Sequence, residues 1–137
     1  MEWRREGYVL TDETERVDLD AVHRLLSTTY WAAGRSRETV ARSVQASLCF
    51  SLFEQERQIG FTRVVTDRAT FAWVCDVIIE EGSRGRGLAR WMLTTLLEHG
   101  DLQLRLLLLG TRDAGGLYEK LGFSEATAAM YWRRRLD

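Results

Sequence analysis

The ten residues SRGRGLARWM, Ser83 to Met92, set Arg84, Arg86 and Arg90 around Gly85 and Gly87 at the foot of a helical apolar pattern. Glycines at a strand-to-helix turn leave main-chain N–H groups bare and let several of them aim at one point, and the first N–H groups of a helix carry partial positive charge. An anion is the natural ligand of such a turn. Phosphate, and more so pyrophosphate, fits a run of this length. Other glycine loops are excluded by the residues themselves. A Walker loop needs Gly-Lys, and no such pair occurs in the chain; the dinucleotide fingerprint GxGxxG would put Arg90 where its third glycine belongs, without a strand-helix-strand unit at the start of the chain. RNA contact through RGRG is the weakest reading, because no aromatics are interleaved with it on a basic face. The bland alternative is a tight turn carrying solvated arginines.

The elements around this turn follow from periodicity. Gly7–Thr11 reads as a first strand. Leu19, Val22, Leu26 and Tyr30 recur at helical spacing in a helix that starts near Asp18 or Asp20, and Ser36 caps a second helix with Val40, Val44 and Leu48 along one stripe. LCFSLFE, QIGFTRVVTD and ATFAWVCDVIIE are rich in β-branched and aromatic residues and form an antiparallel meander. Ala89, Met92, Leu93, Leu96 and Leu97 then match a helical template, closed by Gly100. The apolar run in LQLRLLLLG suits a central strand. Strand, helix, strand implies a right-handed parallel crossover, so the strands ending near Ile79 and Leu109 bring their C-terminal ends together. Asp113 can cap a short helix AGGLYEKL ahead of Gly122, and Phe123 onward supplies a last strand or hairpin.

Composition narrows the function classes. A chain of 137 residues with 45% hydrophobic content suits one compact domain, residues 1–137. Its net charge of -1 offers no global field toward nucleic acid or an anionic membrane. The longest apolar run, Leu106–Leu109, is far below the roughly 20 residues of a membrane span. Cys49 and Cys75 have neither metal-site spacing nor a signal-like segment beside them, and are expected as free thiols in a cytoplasmic protein that binds no metal. His23 and His99 fall on helices away from the glycine turn, and neither is a catalytic candidate. The terminal run Arg133–Arg135 reads as a solvated strand end.

Arg84-Gly85-Arg86-Gly87-Leu88-Ala89 resembles the [QR]-x-x-G-x-[GA] motif of the GCN5-related N-acetyltransferase (GNAT) superfamily, and TRDAGGLYEKLGF is similar to its closing pattern of a tyrosine-bearing helix followed by Gly-Phe. The order of elements agrees over nearly the whole chain; EEGSRG departs from the pattern in lacking a proline often found there. The resemblance implies an α/β protein with a central mixed sheet of six to seven strands flanked by about four helices. It implies acetyl-CoA as cosubstrate, with the pyrophosphate on the N–H groups of Arg84, Gly85, Arg86, Gly87, Leu88 and Ala89 and with Arg90 as charge partner. The pantetheine arm would pair with the backbone of Val77, Ile78 and Ile79, and Asp113 and the stretch from Arg112 to Lys120 would lie toward the cofactor. Tyr30 and Trp31 fall where relatives cover the acceptor. The acceptor itself would be a primary amine of a small molecule or protein, and dimerisation through the last strands is common among relatives.

The implied chemistry makes two demands. An amine with a pKa near 10.4 costs about 4 to 5 kcal/mol to deprotonate at pH 7, so a base is worth seeking. Asp76 is that candidate, against the alternative of a carboxylate bonded structurally within the sheet; Cys75 is expected on the opposite face unless a bulge intervenes. The leaving thiolate needs a proton, and Tyr118 matches the family's tyrosine, against the alternative of a core aromatic packed with Leu117 and Leu121. Two functions follow: a ternary-complex N-acetyltransferase, or a module that binds acyl-CoA for sensing and transfers nothing.

Overall fold

The computed structural model describes residues 1–135. Its elements run β1 (Glu2–Arg5), β2 (Tyr8–Thr11), α1 (Leu19–Leu26), α2 (Arg37–Gln45), β3 (Leu48–Glu54), β4 (Arg57–Thr66), β5 (Phe71–Ile79), α3 (Leu88–Glu98), β6 (Leu106–Leu108) and α4 (Gly115–Lys120). The strands form one mixed sheet in chain order, antiparallel except for the β5–β6 pair. The expected α/β class, six strands and four helices, is what is found.

Local chemistry sets the helix starts. Asp18 accepts from the Ala21 N–H at 3.1 Å and Ser36 from the Thr39 N–H at 3.1 Å, each satisfying a donor that the first turn leaves orphaned. Both helices lie on one face, where Val22, Leu25, Leu26, Val40 and Val44 pack with Cys49, Phe61 and Ile78. Helix α3 covers the other face, where Leu88, Met92, Leu93 and Leu96 pack with Leu10, Phe50, Ile59, Val74 and Ile79. Each such side chain contributes about 1.5–3 kcal/mol on burial. That is enough for α3 to go without the side-chain cap, worth about 1 kcal/mol, that α1 and α2 use.

Two features of β5 shape everything that follows. It pairs with β6 only at Phe71, Ala72 and Trp73, opposite Leu106, Leu107 and Leu108. Beyond Trp73 the edge of β5 facing β6 has no strand partner among the described residues, so the two strands part toward Ile79. The second feature is a bulge. Arg63 pairs with Cys75 and Phe61 with Ile78, so Thr62 alone faces both Asp76 and Val77, and Asp76 takes φ +55°. The extra residue reverses the alternation: Ala72 and Val74 face α3 before it, Val77 and Ile79 after it, while Ile78 turns to the α1/α2 side.

The chain departs from expectation in four places. Strand β1 was not foreseen; Glu6 and Gly7, both at positive φ, turn it back on β2, and β2 begins at Tyr8. His99 closes α3, and Gly100 instead opens a 3-10 turn, Gly100–Leu102. Strand β6 is shorter than its apolar run. No last strand forms over 123–135, where Met130, Tyr131 and Trp132 are exposed; the Ala-rich stretch before them has Thr127 as its one β-branched residue. The terminal arginines therefore end no strand.

Candidate active site

The glycine turn lies where β5 gives way to α3. A short 3-10 turn, Glu81–Ser83, buries Ser83, and the chain then passes through Gly85 at φ +81° and Gly87 at φ +74°, the residue that precedes the helix. The first main-chain bond of α3 runs from Trp91 N–H to the Gly87 carbonyl at 3.1 Å. The N–H groups of Gly85, Arg86, Gly87, Leu88, Ala89 and Arg90 have no acceptor among the described residues. A Cβ at either glycine would meet nothing within 4 Å, so the protein does not crowd these positions. What glycine provides here is the left-handed backbone and open space before a row of donors. The arginines are less free than the sequence suggests. Arg84 Nε donates to the Ile79 carbonyl at 3.0 Å, and Arg86 reaches Tyr8 Oη at 2.9 Å and Glu54 at 3.5 Å. Arg90 is exposed and has no ion pair among the described residues.

Tyr118, on α4, packs in the cluster that holds Leu88 and Ile79, and a C-terminal cap fixes its place. Gly122, at φ +95°, donates to the Glu119 carbonyl at 3.1 Å, and Phe123 N–H donates to the Tyr118 carbonyl at 3.0 Å. This is a Schellman closure, and its usual apolar contact is the Tyr118–Phe123 ring pair, 5.9 Å between centroids and nearly perpendicular. The Gly-Phe pair after the helix thus anchors the tyrosine. Tyr118 is buried, yet its hydroxyl makes no hydrogen bond among the described residues. Burial pushes its phenol pKa up, with Tyr30 and Asp113 adding to the effect, so it holds its proton at neutral pH. Asp113 does not cap α4: the cap position before Gly115 is Ala114, whose N–H is taken by Thr111 Oγ1 at 3.1 Å, and Asp113 is exposed.

Asp76 sits on the α1/α2 side, because the bulge turns it there. Its carboxylate is buried and fully engaged. Oδ2 accepts from Arg35 Nη1 at 2.8 Å and Arg63 Nε at 2.9 Å, and Oδ1 from Trp31 Nε1 at 3.1 Å. Both guanidiniums bond Oδ2 and the indole bonds Oδ1, an arrangement that suits the alternative of a carboxylate bonded structurally within the sheet. Cys75 also bonds on this strand pair, to the Arg63 carbonyl at 3.3 Å. Trp31 and Tyr30 meet edge to face at 5.0 Å, and Tyr30 spans to the β6–α4 loop, accepting from Arg112 N–H at 3.2 Å under the Arg112 guanidinium. Arg112 therefore faces Tyr30 rather than the phosphate turn.

A model of the GNAT acetyltransferase domain matches residues 45–125, more than half of the chain. The chain belongs to the GNAT acetyltransferase family. A solved Xanthomonas campestris protein assigned to the GNAT family is 34% identical, with a TM-score of 0.87 over 94% of this chain and 96% of that one. A Gibberella zeae protein named as a candidate acetyltransferase is 29% identical over 86% of this chain and 79% of its own length. The aminoglycoside N-acetyltransferase AAC(6')-Iy, solved with CoA, shares the fold at 14% identity and a TM-score of 0.71, covering 97% of this chain and 98% of that one.

In this GNAT acetyltransferase, Tyr118 shares one apolar cluster with Leu88, the first residue of α3, and with Val77 and Ile79 of β5, while Tyr30, Trp31 and Asp76 group on the α1/α2 side. A recess of about 850 Å³ lies elsewhere, between α1 and the β3–β4 turn, with charged walls that include Asp18, Arg24, Arg57 and Glu80. Neither Tyr118 nor the glycine turn lines it. Sequence reasoning missed Arg35 and Arg63. Arg63 had a faint signal, a lone charge inside an apolar strand; Arg35, in a helix connection, had none.

Proposed function

We propose that this GNAT protein transfers acetyl from acetyl-CoA to a primary amine by direct attack in a ternary complex. One observation carries the reading: a row of unpartnered N–H groups from Gly85 to Arg90 follows a strand whose free-edge residues Val77 and Ile79 pack in the same cluster as Tyr118, whose hydroxyl is unbonded among the described residues. The donor row suits a diphosphate, since six converging amides and the uncapped end of α3 supply partial positive charge that no protein group answers. Arg90 is the side chain free to add full charge. The edge of β5 can pair with an amide-bearing arm as a neighbouring strand would, because beyond Trp73 it has no strand partner among the described residues and only its Ile79 carbonyl is taken, by Arg84 Nε. Bound there, acetyl-CoA would supply a thioester carbonyl as electrophile.

The residues divide the remaining work. An N–H of the bulged segment can hold the negative charge that develops on a carbonyl oxygen. Tyr118, kept protonated by burial, hands its proton toward the departing sulfur, and the proton lost by the attacking nitrogen passes to water. Asp76 acts through its partners, holding Arg35, Arg63 and Trp31 in place. The test is a thiol-release assay over a panel of amines together with calorimetry of coenzyme A. Amine-dependent thiol release is expected, and Tyr118→Phe should lower kcat about 100-fold with coenzyme A binding intact. Coenzyme A that binds while no amine is turned over would mean a sensing module; no binding would overturn the reading altogether.

A further inference from the structure

The cluster around Asp76 is not electrically balanced. Two guanidinium groups share one carboxylate, Asp76, whose side chain is 2% exposed, while those of Arg35 and Arg63 are 24% and 14% exposed. Burial works to lower the Arg63 pKa, but the bond to Asp76 together with the Coulomb pull of Asp76, Cys75 and Cys49 outweighs it, so the guanidinium stays charged. The other neighbours bring no compensating negative charge. Ser47 Oγ accepts from Arg63 Nη1 at 3.2 Å, and Trp31 is neutral. Burial pushes the Cys49 thiol up to about 12 and the Cys75 thiol up to about 11, against the pull of Arg63, so both are uncharged at neutral pH. A positive charge therefore remains in a half-buried place.

Its donors are also unfilled. Arg35 uses Nη1 alone among its side-chain nitrogens, and Arg63 uses Nε and Nη1, so Nε and Nη2 of Arg35 and Nη2 of Arg63 have no acceptor among the described residues. Half-buried guanidiniums with free donors favour a planar anion, most of all a carboxylate, which accepts two bonds at once. Arg35 is the more exposed of the two and so the more reachable from outside. Trp31 and Tyr30, 42% and 50% exposed, flank the same opening with aromatic surface.

Resting on the acetyltransferase reading, we infer that the acceptor is a small amine bearing a carboxylate, an amino acid or short ω-amino acid, whose carboxylate is held by Arg35 and Arg63 on the α1/α2 side of the Asp76 bulge. The bulge supplies the juxtaposition, since it puts the Asp76 cluster beside Val77, the first residue of the edge offered to the acyl donor. The same surplus charge disfavours polyamines, which carry several positive charges of their own.

The test compares amino acids and ω-amino acids with their methyl esters and with a polyamine, with KM expressed as free amine. The parent enzyme should show a KM for the acids at least about tenfold below that for the esters. Arg35→Gln should raise KM for the acids about tenfold or more, leave kcat within about threefold and leave the esters unchanged; Arg35→Lys should recover part of the loss. Esters or polyamines turned over as well as the acids, or an Arg35→Gln effect equal on acids and esters, would overturn the inference and leave the acetyltransferase reading standing. Should thiol release fail with every amine, calorimetry decides: the acids binding to the protein, alone or with coenzyme A, in preference to their esters supports the anion site, and equal or absent binding removes it. Arg63→Gln, checked for folding by circular dichroism, gives the same comparison from the second guanidinium.

Discussion

Asparagine at position 76 isolates the role of one charge with little other disturbance. Asp76 lies at φ +55°, a conformation that asparagine adopts about as readily as aspartate, so the substitution adds no backbone strain. It removes the counter-charge of Arg35 and Arg63 and sets amide hydrogens or a single amide oxygen against two guanidiniums. Breaking a fully buried ion pair from one side costs about 3–5 kcal/mol. Arg35 and Arg63, 24% and 14% exposed, keep some contact with water, which brings the expected loss to about 2–3 kcal/mol. At about 2.1 cal/mol/K per residue over 137 residues, that lowers Tm by about 7–10 °C. Urea and thermal unfolding followed by circular dichroism measure it. Asp76→Ala should cost about 1 kcal/mol more, because alanine is strained at this φ. The double variant Asp76→Asn with Arg63→Gln should lose less than the two single losses added, since it relieves one unpaired charge. Unfolding of Asp76→Asn within about 0.5 kcal/mol of the parent, combined with a kcat loss of 100-fold or more and disappearance of the acid limb of the rate profile, would refute this reasoning and make Asp76 the base.

Other expectations follow from the same geometry. Gly87→Ala meets no neighbour but must hold φ +74°, so it should lose about 1 kcal/mol of stability while weakening coenzyme A about tenfold or more by calorimetry; unchanged affinity would remove the glycine turn from the site. Gly60→Ala would put a Cβ 2.8 Å from Ile79 Cδ1 and 3.1 Å from Leu52 Cβ, so it should cost about 1–3 kcal/mol in urea unfolding and raise the KM for the acyl donor through displacement of Ile79. The thiols give a pH prediction. Burial raises Cys49 to about 12 and Cys75 to about 11, so the folded chain holds these protons more tightly than the unfolded one. The stabilisation is complete below the unfolded thiol's pKa of about 8.5 and is lost as pH rises toward 11 to 12, so the urea midpoint should fall above about pH 9, and less so in Cys49→Ala.

How far the residues alone carried the structure depends on the range of the interaction. Capped helices, the three-strand meander and the α3 stripe are local patterns, and Asp18, Ser36 and the Leu88–Leu96 face do in space what their spacing indicates. The tyrosine helix was legible for the same reason: Gly122 and Phe123 close it within five residues of Tyr118. Local signals failed where a neighbouring strand decides. β1 becomes a strand by pairing with β2, although its own residues, EWRR, are mostly charged. The segment after Phe123 has apolar residues but no ladder to join among the described residues.

The bulge at Asp76 shows why the site was only half legible. Strict alternation puts Cys75 and Asp76 on opposite faces and aims Asp76 the same way as Val74 and Ile78. One extra residue opposite Thr62 breaks that rule. Nothing in AWVCDVII marks the extra residue, because aspartate is common at positive φ yet equally at home in a regular strand edge. Once the bulge is present, Asp76 leaves the α3 face, where an unpaired carboxylate would be costly among Val74, Met92 and Ile79, and turns to meet Arg35, Arg63 and Trp31, which lie 41, 13 and 45 positions away along the chain. The backbone irregularity and the charge cluster therefore depend on each other: the bulge aims the carboxylate, and the guanidiniums repay the positive φ. A substitution that straightens β5 should disperse the cluster even when every charged residue is retained.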